Sequence, residues 1–207
     1  MNQKNESSGA KNSNAELKEG NGRFHFYEGN IWNTKPTAEW TIEQAYNYIM
    51  LDMGAMQNTL WLRGLSSTKE RNEYKAKNLA YCTFSGTFSK RKNDCLIEHS
   101  GLMCLDFDHL GERLQEAKRL LIEDTALNVM LLFRSPSGDG LKAVVPIDLK
   151  QGLHEKWYCA FSAYLNDKYN LIADPACKDV SRACFLPHDS DCFIDRNKIN
   201  TEIICQF

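Results

Sequence analysis

The hydrophobic pattern between residues 101 and 187 restricts the fold more than any other feature of the chain. It switches between the strand period and the helix period. In chain order it predicts a strand at 101–108, a helix at 110–121, a strand at 127–134, a strand at 141–148, a helix at 152–169 and a strand at 183–187. The order β-α-β-β-α-β is the ferredoxin-like arrangement that RNA-recognition modules also use. We therefore expect an α+β protein with a ferredoxin/RRM-like lobe, in which the first and third strands lie side by side.

The residues before this pattern change character at Gly22. Residues 1–22 contain no aromatic side chain and are rich in Asn, Ser, Lys, Glu and Gly, a composition that predicts a disordered tail. From residue 23 aromatic residues appear, and Thr41 with Gln44 forms a capping-box pattern for a helix through about Met53. We expect one domain over 23–207, in which an N-terminal α/β portion at 23–94 supports the lobe at 95–207.

Charge and hydropathy limit the partners of the chain. The 25 basic and 27 acidic residues give a net charge of −2, so a nucleic-acid site requires local clustering. One cluster exists at 69–92, where seven basic residues accompany two acidic ones. The longest uncharged apolar run, at 129–133, is far shorter than the roughly 20 residues of a membrane span, and 1–22 has no apolar signal region. We expect a cytoplasmic protein with no membrane partner, and reduced thiols at its eight cysteines.

Two carboxylates end the first strand of the lobe. Side chains alternate along a strand, so Asp106 and Asp108 point to one face and Met103, Leu105 and Phe107 to the other. Two like charges held together disfavour ionisation of one another unless a cation lies between them. Mg²⁺ and Mn²⁺ prefer such oxygen ligands together with phosphate oxygens. The pair is a candidate metal site, and a solvated strand end is the simpler alternative.

Two further segments carry polar groups that suit a phosphate ligand. Residues 135–140 form a turn in which Gly138 and Gly140 allow close backbone approach, Ser135 and Ser137 offer hydroxyl groups, and Lys142 adds a positive charge. Residues 174–182 then supply Asp174, Lys178 and Arg182 before the last strand. The alternatives are a plain glycine-rich turn, a turn residue at Asp174 and a surface ion pair at Arg182. On the predicted sheet all three segments can meet.

Four blocks of sequence keep a fixed order and spacing: 79–88 (LAYCTFSGTF), 99–108 (HSGLMCLDFD), 135–142 (SPSGDGLK) and 178–185 (KDVSRACF). Together they resemble the VirE N-terminal domain family, a primase-polymerase-like branch of the archaeo-eukaryotic primase superfamily, over about residues 24–195. The resemblance implies a DNA primase or nucleotidyltransferase that uses nucleoside triphosphates on a single-stranded DNA or RNA template. It also implies replication of a phage or mobile element, beside a replicative helicase.

The resemblance assigns roles by position. Asp106 and Asp108 match the metal-binding first motif, residues 135–142 match the nucleotide-contacting second motif, and Asp174 matches the third acidic residue. The implied cofactor is Mg²⁺ or Mn²⁺, as two ions on Asp106, Asp108 and Asp174, and Arg182 would face triphosphate or template. This chain departs from the pattern at Lys142, where many members carry a histidine.

Other readings of the same residues stay open. The strongest is a non-catalytic module that binds single-stranded nucleic acid and docks a replicative helicase. A metal-dependent cyclase or phosphodiesterase on a similar frame is a third. Cys177, Cys184, His188 and Cys192 are ligand types that suit structural zinc, although no C-x-x-C pair occurs. His99 and His109 flank the first strand and are candidates for the site or for a capping role.

Overall fold

The computed structural model describes residues 22–199, so the predicted tail at 1–22, apart from Gly22, and the segment 200–207 lie outside the described residues. The strands are β1 (Phe24–Tyr27), β2 (Ala38–Trp40), β3 (Tyr81–Thr83), β4 (Gly86–Phe88), β5 (Leu96–His99), β6 (Leu102–Phe107), β7 (Leu131–Arg134), β8 (Leu141–Pro146), β9 (Cys184–Phe185) and β10 (Phe193–Ile194). The helices are α1 (Ile42–Leu51), α2 (Met53–Gly64), α3 (Thr68–Asn78), α4 (Leu114–Glu123), α5 (His154–Tyr169) and α6 (Arg196–Ile199). The α+β class is confirmed.

The capping box predicted at Thr41 is present. The Gln44 side chain accepts a hydrogen bond from the Thr41 backbone amide at 2.9 Å, and helix α1 begins at the next residue. The helix ends at Leu51, slightly before the predicted end, because Asp52 caps a new helix by accepting from the Ala55 amide at 2.7 Å. The extra helices α2 and α3 carry side chains that reach the candidate site.

The lobe is built on an antiparallel sheet of order β10-β7-β8-β6. Strands β6 and β8 are neighbours, which confirms the predicted pairing of the first and third strands. One face, with Met103, Leu105 and Phe107, packs on helices α4 and α5. The opposite face packs on helix α1 and on the second four-stranded sheet, of order β2-β1-β3-β9. Asp106 therefore lies on the face that looks toward the N-terminal portion.

The predicted last strand exists but does not join the lobe sheet. Strand β9 pairs with β3, with Cys184 opposite Cys82, and the edge of the lobe sheet is taken by β10 on β7. The Sγ atoms of Cys104 on β6 and Cys184 lie 3.5 Å apart, so β9 crosses the face of the sheet rather than extending its edge. The ferredoxin-like order thus holds through β6, β8 and β7 and is wrong for the position of the fourth strand.

Helix lengths and cysteine side chains within residues 22–199 bear on the predictions about a membrane and about thiols. None of the helices within residues 22–199 is both long enough and apolar enough to cross a membrane. The seven cysteines in this range are free; four are buried, Cys95 and Cys104 are half-buried and Cys159 is exposed, while Cys205 lies outside the range.

Candidate active site

The three predicted acids meet. Asp106 is the next-to-last residue of β6, and Asp108 directly follows that strand. Asp174 is the N-cap of the 3-10 helix Pro175–Lys178, which comes after α5. One carboxylate oxygen from each lies within 4.8 Å of the others. The Asp174 amide donates to the Asp106 carbonyl at 2.8 Å, and this bond ties the 3-10 helix to the end of β6. Residues far apart in sequence therefore form one acidic cluster, with Asp106 buried, Asp174 half-buried and Asp108 exposed.

Asp106 forms a buried ion pair with Lys142. The two residues are direct partners across β6 and β8, and Lys142 Nζ donates to Asp106 Oδ2. Their side chains are only 9% and 8% exposed, respectively. Burial alone would lower the pKa of Lys142, but the Asp106 carboxylate and the nearby Cys184 and Cys104 thiols together raise that pKa, so the ammonium stays charged. The other oxygen, Oδ1, is buried and has no hydrogen-bond partner among the described residues.

Asp174 caps a turn and Arg182 forms an ion pair, which are the two simpler alternatives given for these residues from the sequence. Asp174 Oδ1 accepts from the Ala176 amide at 2.9 Å and caps the 3-10 helix. Asp174 Oδ2 accepts from Arg182 Nη2 at 2.6 Å. Asp108, by contrast, forms no hydrogen bond or ion pair with any residue that the structure describes. These contacts leave Asp108 and Oδ1 of Asp106 as the unengaged acceptors of the cluster.

The Ser135–Gly140 turn lies directly against the acidic strand. A Cβ atom on Gly140 would come within 2.3 Å of the Phe107 carbonyl oxygen, so only glycine fits this close approach. Gly138 has φ +82°, where glycine is favoured. The hydroxyl groups of Ser135 and Ser137 lie 3.1 Å apart. The turn thus presents two hydroxyl groups beside the carboxylates, as predicted.

Arg63 from α2 holds this turn and was not anticipated from the sequence. Its guanidinium donates to the Pro136 and Ser135 carbonyls, each at 3.2 Å. Both acceptors are main-chain atoms, which carry no sequence signal. Arg63 lies 72 residues before Ser135 in the sequence, so its role at the turn could be recognised only from the structure.

A cleft of about 380 Å³ joins these pieces. It is lined by cations, acids, hydroxyl groups and four apolar residues: Lys75, Arg91, Lys142, Arg182, Asp106, Asp108, Asp179, Ser135, Ser137, Ser181, Ile31, Pro136, Ala183 and Phe185. Lys75 and Arg91 are the members of the basic stretch 69–92 that reach the cleft. Lys178 is exposed, and neither it nor Gly138 or Gly140 lines the cleft.

A histidine pair fastens the 3-10 helix that carries Asp174. The Gly101 amide donates to His99 Nδ1 at 3.0 Å, which leaves His99 Nε2–H to donate to His154 Nδ1 at 3.0 Å. His154 Nε2–H then donates to the Cys177 carbonyl at 3.1 Å. The bonds accepted at His99 Nδ1 and His154 Nδ1 require that both imidazoles are neutral, because a protonated ring nitrogen cannot accept. Burial and the neighbouring His154 lower the pKa of His99 to about 3, and burial also lowers the pKa of His154.

The remaining candidates do not gather at the site. His109 is exposed and lies 3.5 Å from Asp139. The four residues considered for zinc do not form a cluster, since within residues 22–199 the aspartates are the only group of three potential metal ligands. His188 Nδ1–H, for example, donates a hydrogen bond to the Ile49 carbonyl at 2.9 Å instead.

The acidic cluster fits a hard divalent cation. Its donors are carboxylate oxygens, the ligand type that Mg²⁺ and Mn²⁺ prefer. A buried carboxylate oxygen without a partner is costly, and Oδ1 of Asp106 is such an atom. A cation held by Asp106, Asp108 and Asp174 would satisfy that oxygen and offset the repulsion among the three charges.

Comparison with known proteins gives one match. Residues 74–193 match the family model described as BT4734-like, N-terminal domain. Searches among curated proteins and among solved structures found no match. The matched range runs from α3 to β10 and includes all three aspartates, the Ser135–Gly140 turn and Arg182. Because the match covers more than half of its 207 residues, the chain belongs to the BT4734-like N-terminal domain family.

Proposed function

We propose that the protein is a primase-polymerase-like nucleotidyltransferase, as the sequence resemblance to the VirE N-terminal domain family implies. It would extend or start a primer on a single-stranded DNA or RNA template during replication of a phage or mobile element. The observation that carries the proposal is the convergence of Asp106, Asp108 and Asp174 beside a serine-glycine turn in a cation-lined cleft. A cytoplasmic location and a replicative helicase as partner belong to the same proposal.

The residues divide into two groups by chemistry. Asp106, Asp108 and Asp174 would hold Mg²⁺ or Mn²⁺. When bound, the metal would supply activation of the primer 3′-hydroxyl and stabilisation of the leaving pyrophosphate. Ser135, Ser137 and Arg182, together with Lys75 and Arg91, would bind the triphosphate of the incoming nucleotide through hydrogen bonds and charge.

The cleft also contains apolar residues beside its charged ones. Ile31, Ala183 and Phe185 line it together with the cations. Lys75 Nζ lies 5.6 Å from the centre of the Phe185 ring, so a positive charge and an aromatic face are neighbours. This arrangement suits a ligand with a negatively charged end and a flat apolar end, as a nucleotide has.

Primer synthesis on single-stranded DNA with Mn²⁺ or Mg²⁺ tests the proposal. Asp108→Asn is the informative variant, because Asp108 is exposed and its loss does not leave a buried partner unpaired. We expect at least a roughly 100-fold loss of product, since several kilocalories of transition-state stabilisation depend on the bound ion. The matched control is Asp167→Asn, an exposed carboxylate on α5 that does not line the cleft. Full product from Asp108→Asn would reject the assignment.

A second function is favoured by one specific observation. Two of the three acids already have cationic partners, Lys142 and Arg182, which is the arrangement of a binding module that needs no metal. Such a module would bind single-stranded nucleic acid with a steep dependence on salt and give no metal-dependent product. The same assay separates the two, because only the enzyme yields product.

A further inference from the structure

We infer that this site takes a single divalent ion and that the Lys142 ammonium stands permanently where a second ion would bind. The inference rests on the proposed function, because it concerns the same three aspartates. It replaces the expectation of two ions, which came from the sequence resemblance.

The two oxygens of the Asp106 carboxylate have different surroundings, and this difference carries the inference. Oδ2 is engaged by Lys142 Nζ, and Oδ1 is buried without a partner among residues 22–199. Two catalytic ions about 3.5–4 Å apart share a ligand, and a carboxylate does so by giving one oxygen to each ion. Asp106 is the buried member of the trio and the one fixed within a strand. With one oxygen held by Lys142, it can serve one ion only.

The other two acids do not restore a second site. Both oxygens of Asp174 accept hydrogen bonds, from the Ala176 amide and from Arg182. Of the three acids, only Asp108 has a carboxylate that no residue within 22–199 engages, and a single exposed carboxylate is a weak ligand set for Mg²⁺ or Mn²⁺. One ion therefore uses Oδ1 of Asp106, Asp108 and one oxygen that Asp174 can release from the exposed Arg182.

Lys142 is held too firmly to give way to an ion. It is a direct cross-strand partner of Asp106, and both side chains are more than nine-tenths buried. Displacing the ammonium would leave it buried without its counter-charge, a loss that is strongly unfavourable. A lysine is also a compact point charge, so it can occupy a cation position without offering any ligand atom in return.

Counting bound Mn²⁺ tests the inference without relying on activity. Isothermal titration of the full chain with Mn²⁺ alone is expected to give one ion for the wild type and none for Asp108→Asn, with one retained in Asp167→Asn. Lys142→Met frees Oδ2 of Asp106 and is expected to raise the count to two. The electron paramagnetic resonance spectrum should then show coupling between neighbouring Mn²⁺ ions, which the wild type lacks.

The outcomes separate this inference from the proposed function. Two coupled ions in the wild type would overturn the inference and leave the proposed metal site standing. No ion in the wild type would overturn both. One ion in folded Lys142→Met would also overturn the inference, because Lys142 would not be what excludes the second ion. If Lys142→Met does not fold, as judged by circular dichroism, the wild-type count and spectrum still decide.

Discussion

Replacing Asp106 by alanine is expected to lower the free energy of unfolding by about 3–5 kcal/mol, because it leaves the Lys142 ammonium buried without a counter-charge. Lys142 is 8% exposed, and Asp106 Oδ2 is the atom that its ammonium contacts. Urea unfolding at neutral pH, followed by circular dichroism, measures the loss. The size of the effect makes Asp106→Ala unsuitable as a test of catalysis, since lost activity could reflect lost fold.

Two further variants show whether the buried charge is the cause. Asp108→Ala removes an exposed carboxylate from the same cluster and should change stability by no more than about 0.5 kcal/mol. The double variant Asp106→Leu, Lys142→Met replaces both charges by apolar groups and should recover most of the loss. An Asp106→Ala protein as stable as the wild type would show that the pair is not buried as described.

Lowering the pH from about 6.5 to about 4.5 is expected to remove roughly 2–3 kcal/mol of unfolding free energy through His99 alone. In the unfolded chain His99 takes up a proton near its ordinary pKa of 6.5, whereas burial and His154 lower the pKa in the fold to about 3. Between these values the unfolded state binds more protons, so stability falls as the pH falls, by about 1.4 kcal/mol per pH unit. His154, whose pKa is also lowered by burial, adds to the slope.

Urea unfolding at several pH values in this range measures the slope. His99→Gln should lower the slope of stability against pH by the contribution of about one bound proton. His109→Gln, at an exposed position outside the histidine chain, is the matched control variant. His25, half-buried with a lowered pKa, contributes a smaller share. Burial would raise the pKa of Asp124, but hydrogen bonds from Tyr169 and Tyr164 lower it overall, so it acts at more acidic pH. An unchanged slope in His99→Gln would contradict the neutral histidine chain.

Local sequence rules predicted the parts of the site that lie on single elements. The period of two along β6 predicts that Asp106 and Asp108 leave the helix-facing side to Met103, Leu105 and Phe107, and the packing confirms it. The glycines of the turn after β7 mark the close approach to Phe107. The capping box at Thr41 likewise depends only on neighbours within one helical turn.

Contacts between distant segments could not be predicted from these rules. The pairing of β9 with β3 depends on which sheet edge is free after folding, and two-residue strands carry almost no sequence signal. The same holds for Arg63, which binds main-chain carbonyls, and for the histidine chain that ends on Cys177. In the sequence Asp106 and Lys142 belong to two separate motifs. Only the register of β6 and β8 shows that they are direct partners.

The most direct test of the account is a crystal structure grown with Mn²⁺ and a non-hydrolysable nucleotide, with anomalous scattering used to locate the metal. We expect one Mn²⁺ peak in contact with Asp106 Oδ1, Asp108 and Asp174, with the nucleotide phosphates beside Ser135 and Ser137. A map with no peak at the three aspartates, in which Arg182 keeps its ion pair with Asp174 and the nucleotide is absent from the cleft, would contradict the metal site on which the proposed function depends.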